Sequence, residues 1–301
     1  MRYRTLGRTN LQVSELGFGA WEIGWTRPED ATGIGRLLNL ALDRGITFID
    51  SSAAYRWSEE HIGRFVGHRR HEFVFATKCG SWRVQQPDGE WVQTLDYSAA
   101  AIAPQIDRSL QRLGTDYLDV IQLHSPSVED LVHGDGIEGL KRAQEQGKVR
   151  FVGLSADGEA AWRAVESNAF DTLQLTYNVV EQEPAAIIAA ARGRGMGIIV
   201  KTPVASALFT KPRPEGPAAE AWDRAQALLD SRCVGALPPV ETALRWLLGQ
   251  PQVDTAIVGT TSLEHLEANL AAAERGPLDP QVVAAIAKAY TEPSTSPPRP
   301  D

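Results

Sequence analysis

The chain has 301 residues, 43% of them hydrophobic, and a net charge of −8. That length supplies one large domain with a full core, or two ordinary ones, and the acidic balance argues against a nucleic acid or an anionic membrane as partner. Its two cysteines, Cys79 and Cys233, lie far apart, make no disulfide framework and fit a reducing cytosol.

The opening, RYRTLGRTNLQVSEL, lacks the long apolar run of a signal peptide and reads as a short hairpin around Gly7–Asn10. After it, short apolar runs alternate with longer amphipathic ones. The short runs are Leu16–Gly19, Thr47–Asp50, Phe73–Lys78, Tyr117–His124, Val149–Ser155, Thr172–Tyr177, Ile198–Lys201 and Thr255–Val258. Each is expected to be a strand buried on both faces, as in a parallel sheet. Helices are expected over Pro28–Arg44, Ser58–Arg69, Ser98–Leu113, Ile137–Gln146, Glu159–Ser167, Pro184–Arg194, Val240–Leu248 and Leu263–Glu274, with a last one beginning at Asp279–Pro280. Pro28 and Pro184 suit first turns, and Gly45, Gly114, Gly147 and Gly195 suit C-terminal caps. His68 to His71 (HRRH) reads as a solvated helix end. Glu292 to Asp301 is proline-rich and reads as a tail. No stretch reaches the length of a membrane span, and no linker divides the chain, so a single domain is expected.

Eight strands alternating with eight helices, about 30 residues per unit, predict an α/β fold: a (β/α)8 TIM barrel. The doubly wound alternative needs a glycine fingerprint after its first strand. GFGAWE (Gly17 to Glu22) lacks the third glycine, and GIGRLL (Gly33 to Leu38) falls inside a helix.

In such a barrel, functional groups gather at the C-terminal strand ends. Here those ends are polar: Asp50, Lys78, His124, Ser155, Gln174 with Tyr177–Asn178, and Lys201. Tyr55 lies in the loop above the second strand. Each has a bland alternative, since a strand-end Asp often caps a helix, a Lys reaches water, and a lone His is commonly structural. Together they face one mouth, and their chemistry fits. A free tyrosine, with a pKa of about 10, donates a proton poorly near neutrality. A neighbouring ammonium is expected to lower that pKa, a carboxylate to hold the ammonium, and a histidine to position a carbonyl oxygen. H-x-H and H-E-x-x-H spacings are missing, so no metal is expected. A carbonyl protonated on oxygen must accept hydride on carbon, which implies a nicotinamide cofactor.

The stretches GFGAWEIG, FIDSSAAYRWSEEHIG, FVFATK, DYLDVIQLHSP, GKVRFVGLS, LQLTYN and TAIVGTTSLEHLEANL resemble, in order and along nearly the whole chain, the aldo-keto reductase superfamily. The resemblance implies an N-terminal hairpin closing the barrel bottom and NADPH-dependent reduction of aldehydes or ketones, with NADH an open option. The family's catalytic tetrad maps onto Asp50, Tyr55, Lys78 and His124, with Tyr55 as proton donor. Cofactor contacts map onto Ala20, Trp21, Asp50, Ser155 and Gln174. They continue through Lys201, Thr202, Pro203 and Val204 to Lys211, then Gly259, Thr261, His265 and Asn269. This chain departs from the pattern in three places. Ala156 stands where Asn or Arg often follows the serine. Lys201 replaces the aromatic that usually stacks on the nicotinamide, a role Tyr177 is expected to supply in part. Gly259 to Asn269 has neither Lys nor Arg for a 2′-phosphate, leaving His265 and the N–H groups of Thr260 to Ser262.

Two long loops, Cys79 to Ser98 and Ala205 to Cys233, are expected at the mouth. Trp82, Trp91 and Phe209 on them, with Trp57 beside Tyr55, either wall an apolar carbonyl substrate or pack the loops; Trp222 has the same two options. Arg56 replaces a common family glycine and adds charge at the pocket edge. A cytoplasmic carbonyl reductase is the first expectation. A nucleotide-binding regulatory barrel, as in the potassium-channel β subunits, and a Schiff-base lyase or isomerase using Lys78 are its competitors. The sequence leaves substrate and oligomeric state open.

Overall fold

The computed structural model describes residues 1–216, 218–230 and 237–291; Cys233 and the expected tail lie outside them. An N-terminal hairpin pairs β1 (Tyr3–Thr5) with β2 (Gln12–Ser14). The barrel strands follow: β3 (Leu16–Gly19), β4 (Phe48–Asp50) and β5 (Val74–Cys79). After a second hairpin, β6 (Ser81–Gln85) and β7 (Trp91–Leu95), come β8 (Leu118–His124), β9 (Val149–Ser155), β10 (Thr172–Thr176), β11 (Gly197–Lys201) and β12 (Thr255–Gly259). Eight parallel strands close in the order β10-β11-β12-β3-β4-β5-β8-β9, which is the (β/α)8 barrel read from the sequence.

The helices are α1 (Thr32–Asp43), α2 (Ser58–Val66), α3 (Ala99–Leu113), α4 (Val128–His133), α5 (Gly136–Glu145), α6 (Gly158–Ser167), α7 (Ala185–Gly193), α8 (Ala218–Asp230), α9 (Pro239–Leu248), α10 (Leu263–Glu274) and α11 (Pro280–Thr291). The four cap glycines all take left-handed backbone, with φ of 85° at Gly45, 66° at Gly114, 74° at Gly147 and 73° at Gly195. Among the described residues, no helix is long and apolar enough to cross a membrane.

Strand alternation sorts the core into two layers. Ile49, Phe75, Ile121, Leu123, Leu154, Leu173, Leu175, Ile198 and Val200 face outward and pack under the helices. Phe48, Val74, Ala76, Val120, Ile199 and Ile257 face inward and cluster with Leu6, Leu11 and Val13 of the N-terminal hairpin, which thus plugs the foot. Each large side chain buried there contributes roughly 1.5–3 kcal/mol. One step further along the same inward rows stand Asp50, Lys78, Gln122, Lys201 and Gly259, with His124 a step beyond Gln122. The polar strand ends are therefore aimed into the mouth, above a dry floor.

Three regions differ from the sequence reading. The Cys79–Ser98 stretch is an antiparallel hairpin turning at Asp88–Gly89, with Gly89 at φ 90°. The Ala205–Cys233 stretch is largely a short 3-10 turn, Ala205–Thr210, and α8. HRRH is a helix end that is only partly solvated: it lies in the 3-10 turn Gly67–Glu72 that continues α2, with His68 and His71 exposed, but the Arg70 guanidinium turns in to meet Asp119 at 2.6 Å.

Candidate active site

Asp50 ends β4, and the chain then doubles back. Tyr55 N–H donates to Ser52 O at 2.9 Å, while Ser51 Oγ meets Ser58 Oγ at 2.8 Å and Ser58 Oγ donates to Ala20 O at 2.8 Å. The turn after β3 presses on it so closely that a Cβ at Gly24 would stand 1.9 Å from Tyr55 O; only glycine fits. The result brings the phenol over the barrel axis. Lys78 Nζ donates to Asp50 Oδ2 at 2.5 Å and to Ser51 O at 2.8 Å, and it lies 3.4 Å from Tyr55 Oη. The second Asp50 oxygen accepts from Gln174 Nε2 at 2.7 Å and Gln122 Nε2 at 3.2 Å. His124 Nδ1 lies 3.0 Å from Ser52 Oγ, and its ring meets Tyr55 edge-on at 5.8 Å. The four residues of the expected tetrad are thus gathered in one site, with Asp50 and Lys78 buried and Tyr55 and His124 partly exposed above them.

Electrostatics corrects one expectation. Burial raises the Tyr55 pKa above its ordinary value, and the lysine's opposing pull does not overcome it. The phenol therefore rests protonated. Burial also acts against the Lys78 charge, but Asp50 and Tyr55 together outweigh it, and the lysine pKa stands above its ordinary value. A lysine held as ammonium and clamped by a carboxylate is poorly set up as a Schiff-base amine, which weighs against that competitor. Burial, with the charges of Lys78, Lys201 and Arg83, pushes His124 down to about 3, leaving a neutral imidazole. Cys79 is buried and its thiol is pushed far up by desolvation, as befits a filler.

A cleft of about 710 Å³ opens beside Tyr55 and His124. Of the residues expected to contact a cofactor, Ala20, Trp21, Asp50, Ser155, Gln174, Lys201, Thr202, Pro203, Val204, Lys211 and Gly259 line it. Thr261, His265 and Asn269 are not on its wall; Asn269 is buried on α10. Ser262 N–H is engaged by Thr260 Oγ1 at 3.0 Å, so that donor is not free for an anion. Sequence reasoning missed Glu22, Ser206 and Ala207 on the wall. Glu22 carried a signal, because it directly follows Trp21 after β3.

Lys201 Nζ pairs with Asp157 Oδ2 at 2.8 Å. Tyr177 does not substitute for the missing aromatic: it is buried against Trp246, rings 5.4 Å apart. Phe209 is likewise a core residue and not a wall. Trp57 and Trp91 do meet, edge-on at 5.2 Å, and Trp82 is half-buried on β6. Trp222 packs its loop, donating its indole N–H to Lys211 O at 2.8 Å.

The donor set suits a dinucleotide. Gly19 and Gly259 close adjacent strand ends, the Glu22 carboxylate lies where a Cβ at Gly259 would stand, Ser155 Oγ donates to Gln174 Oε1 at 2.9 Å, and Lys211 stands on the wall. The aldo/keto reductase family model matches residues 15–291, and the chain belongs to that family. An aldo-keto reductase of Bacillus halodurans in its holo form superposes with a TM-score of 0.85 at 28% identity, over 96% of each chain. An uncharacterized oxidoreductase of Bacillus subtilis is 28% identical over 95% of each chain. An NADH-specific methylglyoxal reductase of Escherichia coli is 25% identical over 90% of this chain and 93% of its own. Probable voltage-gated potassium channel β subunits of plants are also among the relatives. The family is one of oxidoreductases using nicotinamide cofactors.

Proposed function

We propose that this chain reduces an aldehyde or ketone, with Tyr55 as proton donor and NADPH as hydride source. The observation that carries this reading is the 3.4 Å approach of Lys78 Nζ to Tyr55 Oη inside a buried, Asp50-anchored cluster. A nicotinamide, when bound, supplies the hydride. Ser155 and Gln174 would hold its carboxamide, and Trp21, Lys211 and the Gly259 strand end would hold the rest. The neutral His124 imidazole orients the carbonyl oxygen toward Tyr55. The phenol rests in its acid form, and as its proton moves to the developing alkoxide, the Lys78 ammonium stabilises the phenolate left behind. Asp50 keeps that ammonium charged and in place. NADH competes as donor because Gly259 to Asn269 holds neither Lys nor Arg. Dissociation constants for the two cofactors decide between them.

The second reading is a nucleotide-binding regulatory barrel, favoured by Ala156, by Lys201 and by the channel-subunit relatives. Hydride transfer from labelled NADPH to a broad panel of aldehydes and ketones separates the two. Tyr55→Phe is expected to lower kcat by about 10²–10⁴, the usual worth of a positioned general acid, with NADPH affinity retained. Wild-type turnover no better than Tyr55→Phe across the panel would falsify the reductase reading.

A further inference from the structure

Two arginines stand at the mouth, away from the cleft wall that suits a dinucleotide. Arg56 follows β4, and Arg83 lies on β6, just after β5. Lys201 and Lys211 belong to β11 and its loop, with β12 and β3 in between. The Arg56 guanidinium lies 4.0 Å from the Trp25 ring centroid and 5.8 Å from that of Trp91; Arg83 lies 5.3 Å from Trp25. Arg83 also donates to Ala54 O at 3.3 Å and to Gln93 Oε1 at 3.0 Å, which ties the second hairpin to the Tyr55 turn.

Neither guanidinium is paired with a carboxylate among the described residues. The buried Arg56 Nε has no hydrogen-bond partner. Arg56 also holds φ at 47°, a left-handed backbone that a side chain adopts at a cost, and such strain gathers where function over-determines it. Three positive charges act on His124: Lys78, Lys201 and Arg83. Asp50 neutralises the first and Asp157 the second. Arg83 is left over. Glu22, the other carboxylate on the cleft wall besides Asp50, packs against Gly259 on the cofactor side. An acidic protein thus keeps an uncompensated cationic pair beside its proposed proton donor, laid on indole faces that pre-order it.

We propose that the carbonyl substrate carries an oxyanionic group on an apolar or ring-bearing scaffold. Arg56 and Arg83 take the anion, and Trp25, Trp57 and Trp91 take the scaffold. This deepens the reductase reading and rests on it for the carbonyl end. The test measures binding as well as turnover. Quenching of tryptophan fluorescence in the NADP⁺-loaded full-length chain gives Kd for 4-formylbenzoate and 4-oxobutanoate, for the methyl ester of each, and for 4-formylphenyl phosphate. At least one anion is expected to bind tenfold or more tightly than its neutral counterpart. The carboxylate-to-phosphate order names which oxyanion is preferred. The preference is expected to weaken at high salt and to collapse toward unity in Arg83→Gln. It is also expected to collapse in Arg56→Gly, which relieves the backbone strain and so keeps the fold. Equal binding of acids and esters, or a preference that survives both substitutions, overturns the inference. Anion-selective binding without turnover of any aldehyde leaves it standing and overturns the reductase reading instead.

Discussion

At the foot of the barrel, Asp119 meets Arg70 at 2.6 Å and Arg150 at 2.7 Å, Glu15 holds Arg2 and Arg4, and Asp254 holds Arg192. At the mouth, Asp50 and Lys78 form one equally buried pair, but the groups around it are left unmatched: a protonated phenol, a neutral imidazole and two arginines without carboxylates. The foot's acids also accept from strand ends, as Asp119 does from Phe75 N–H at 2.9 Å and Asp254 from Ile198 N–H at 2.8 Å. Charge at the foot is spent within the chain. Charge at the mouth waits for something the chain does not contain. The sorting follows from the fold, since substrates reach only the strand C-termini while the hairpin seals the other end.

The largest test of this contrast removes a foot acid. Asp119→Ala strands the buried Arg70 guanidinium and the Phe75 N–H, a loss of about 3–5 kcal/mol for a broken buried pair. The thermal midpoint is expected to fall by roughly 5–8 °C. Turnover per folded molecule at 20 °C is expected to stay within about twofold of wild type. If kcat drops as steeply as stability, foot and mouth are not separate in function.

His124 sharpens the mouth's side. Its folded pKa is about 3, below the ordinary histidine value near 6.5. Between those values the unfolded chain binds a proton that the folded chain refuses. The histidine therefore costs nothing above pH 6.5 and destabilises increasingly as pH falls toward 3, at about 1.4 kcal/mol per pH unit. His124→Asn is expected to remove that slope. Between pH 6 and pH 5, wild type should lose about 1 kcal/mol more than the variant in urea titrations. Parallel stability curves would show that the imidazole is not held neutral by its surroundings.

The eight barrel strands were legible as short apolar runs, six of them closed by a polar residue while β3 and β12 end on glycine, and Asp50, Lys78 and His124 stood out because they share the inward parity. The second hairpin was not legible, because its strands are short and mostly exposed; the Trp82–Val84 alternation and the Asp88–Gly89 turn were the available signals. Helix α4 is short and buries none of its residues, so only its Ser127–Asp130 capping box announces it. The resting state of Tyr55 was out of reach for a different reason. Its pKa is a balance of desolvation against Lys78, and desolvation depends on everything packed around the ring.

The smallest effect concerns a tie at the mouth. Trp222 on α8 donates to Lys211 O at 2.8 Å, while Lys211 Nζ donates to Ser206 O at 2.7 Å on the cleft wall. A foot contact of this kind would register in stability. This one is exposed although α8 packs on the core through Ala221 and Ala225, so its loss should register chiefly in ligand binding. Trp222→Phe keeps an aromatic ring but deletes the pyrrole ring with its N–H, at about 1 kcal/mol for the hydrogen bond, or about fivefold in an equilibrium constant. NADPH is expected to bind that much more weakly, with the thermal midpoint nearly unmoved. An unchanged Kd with a lowered midpoint would mean that the Lys211 segment serves the fold and does not hold the dinucleotide, and the foot's logic would then extend to the mouth.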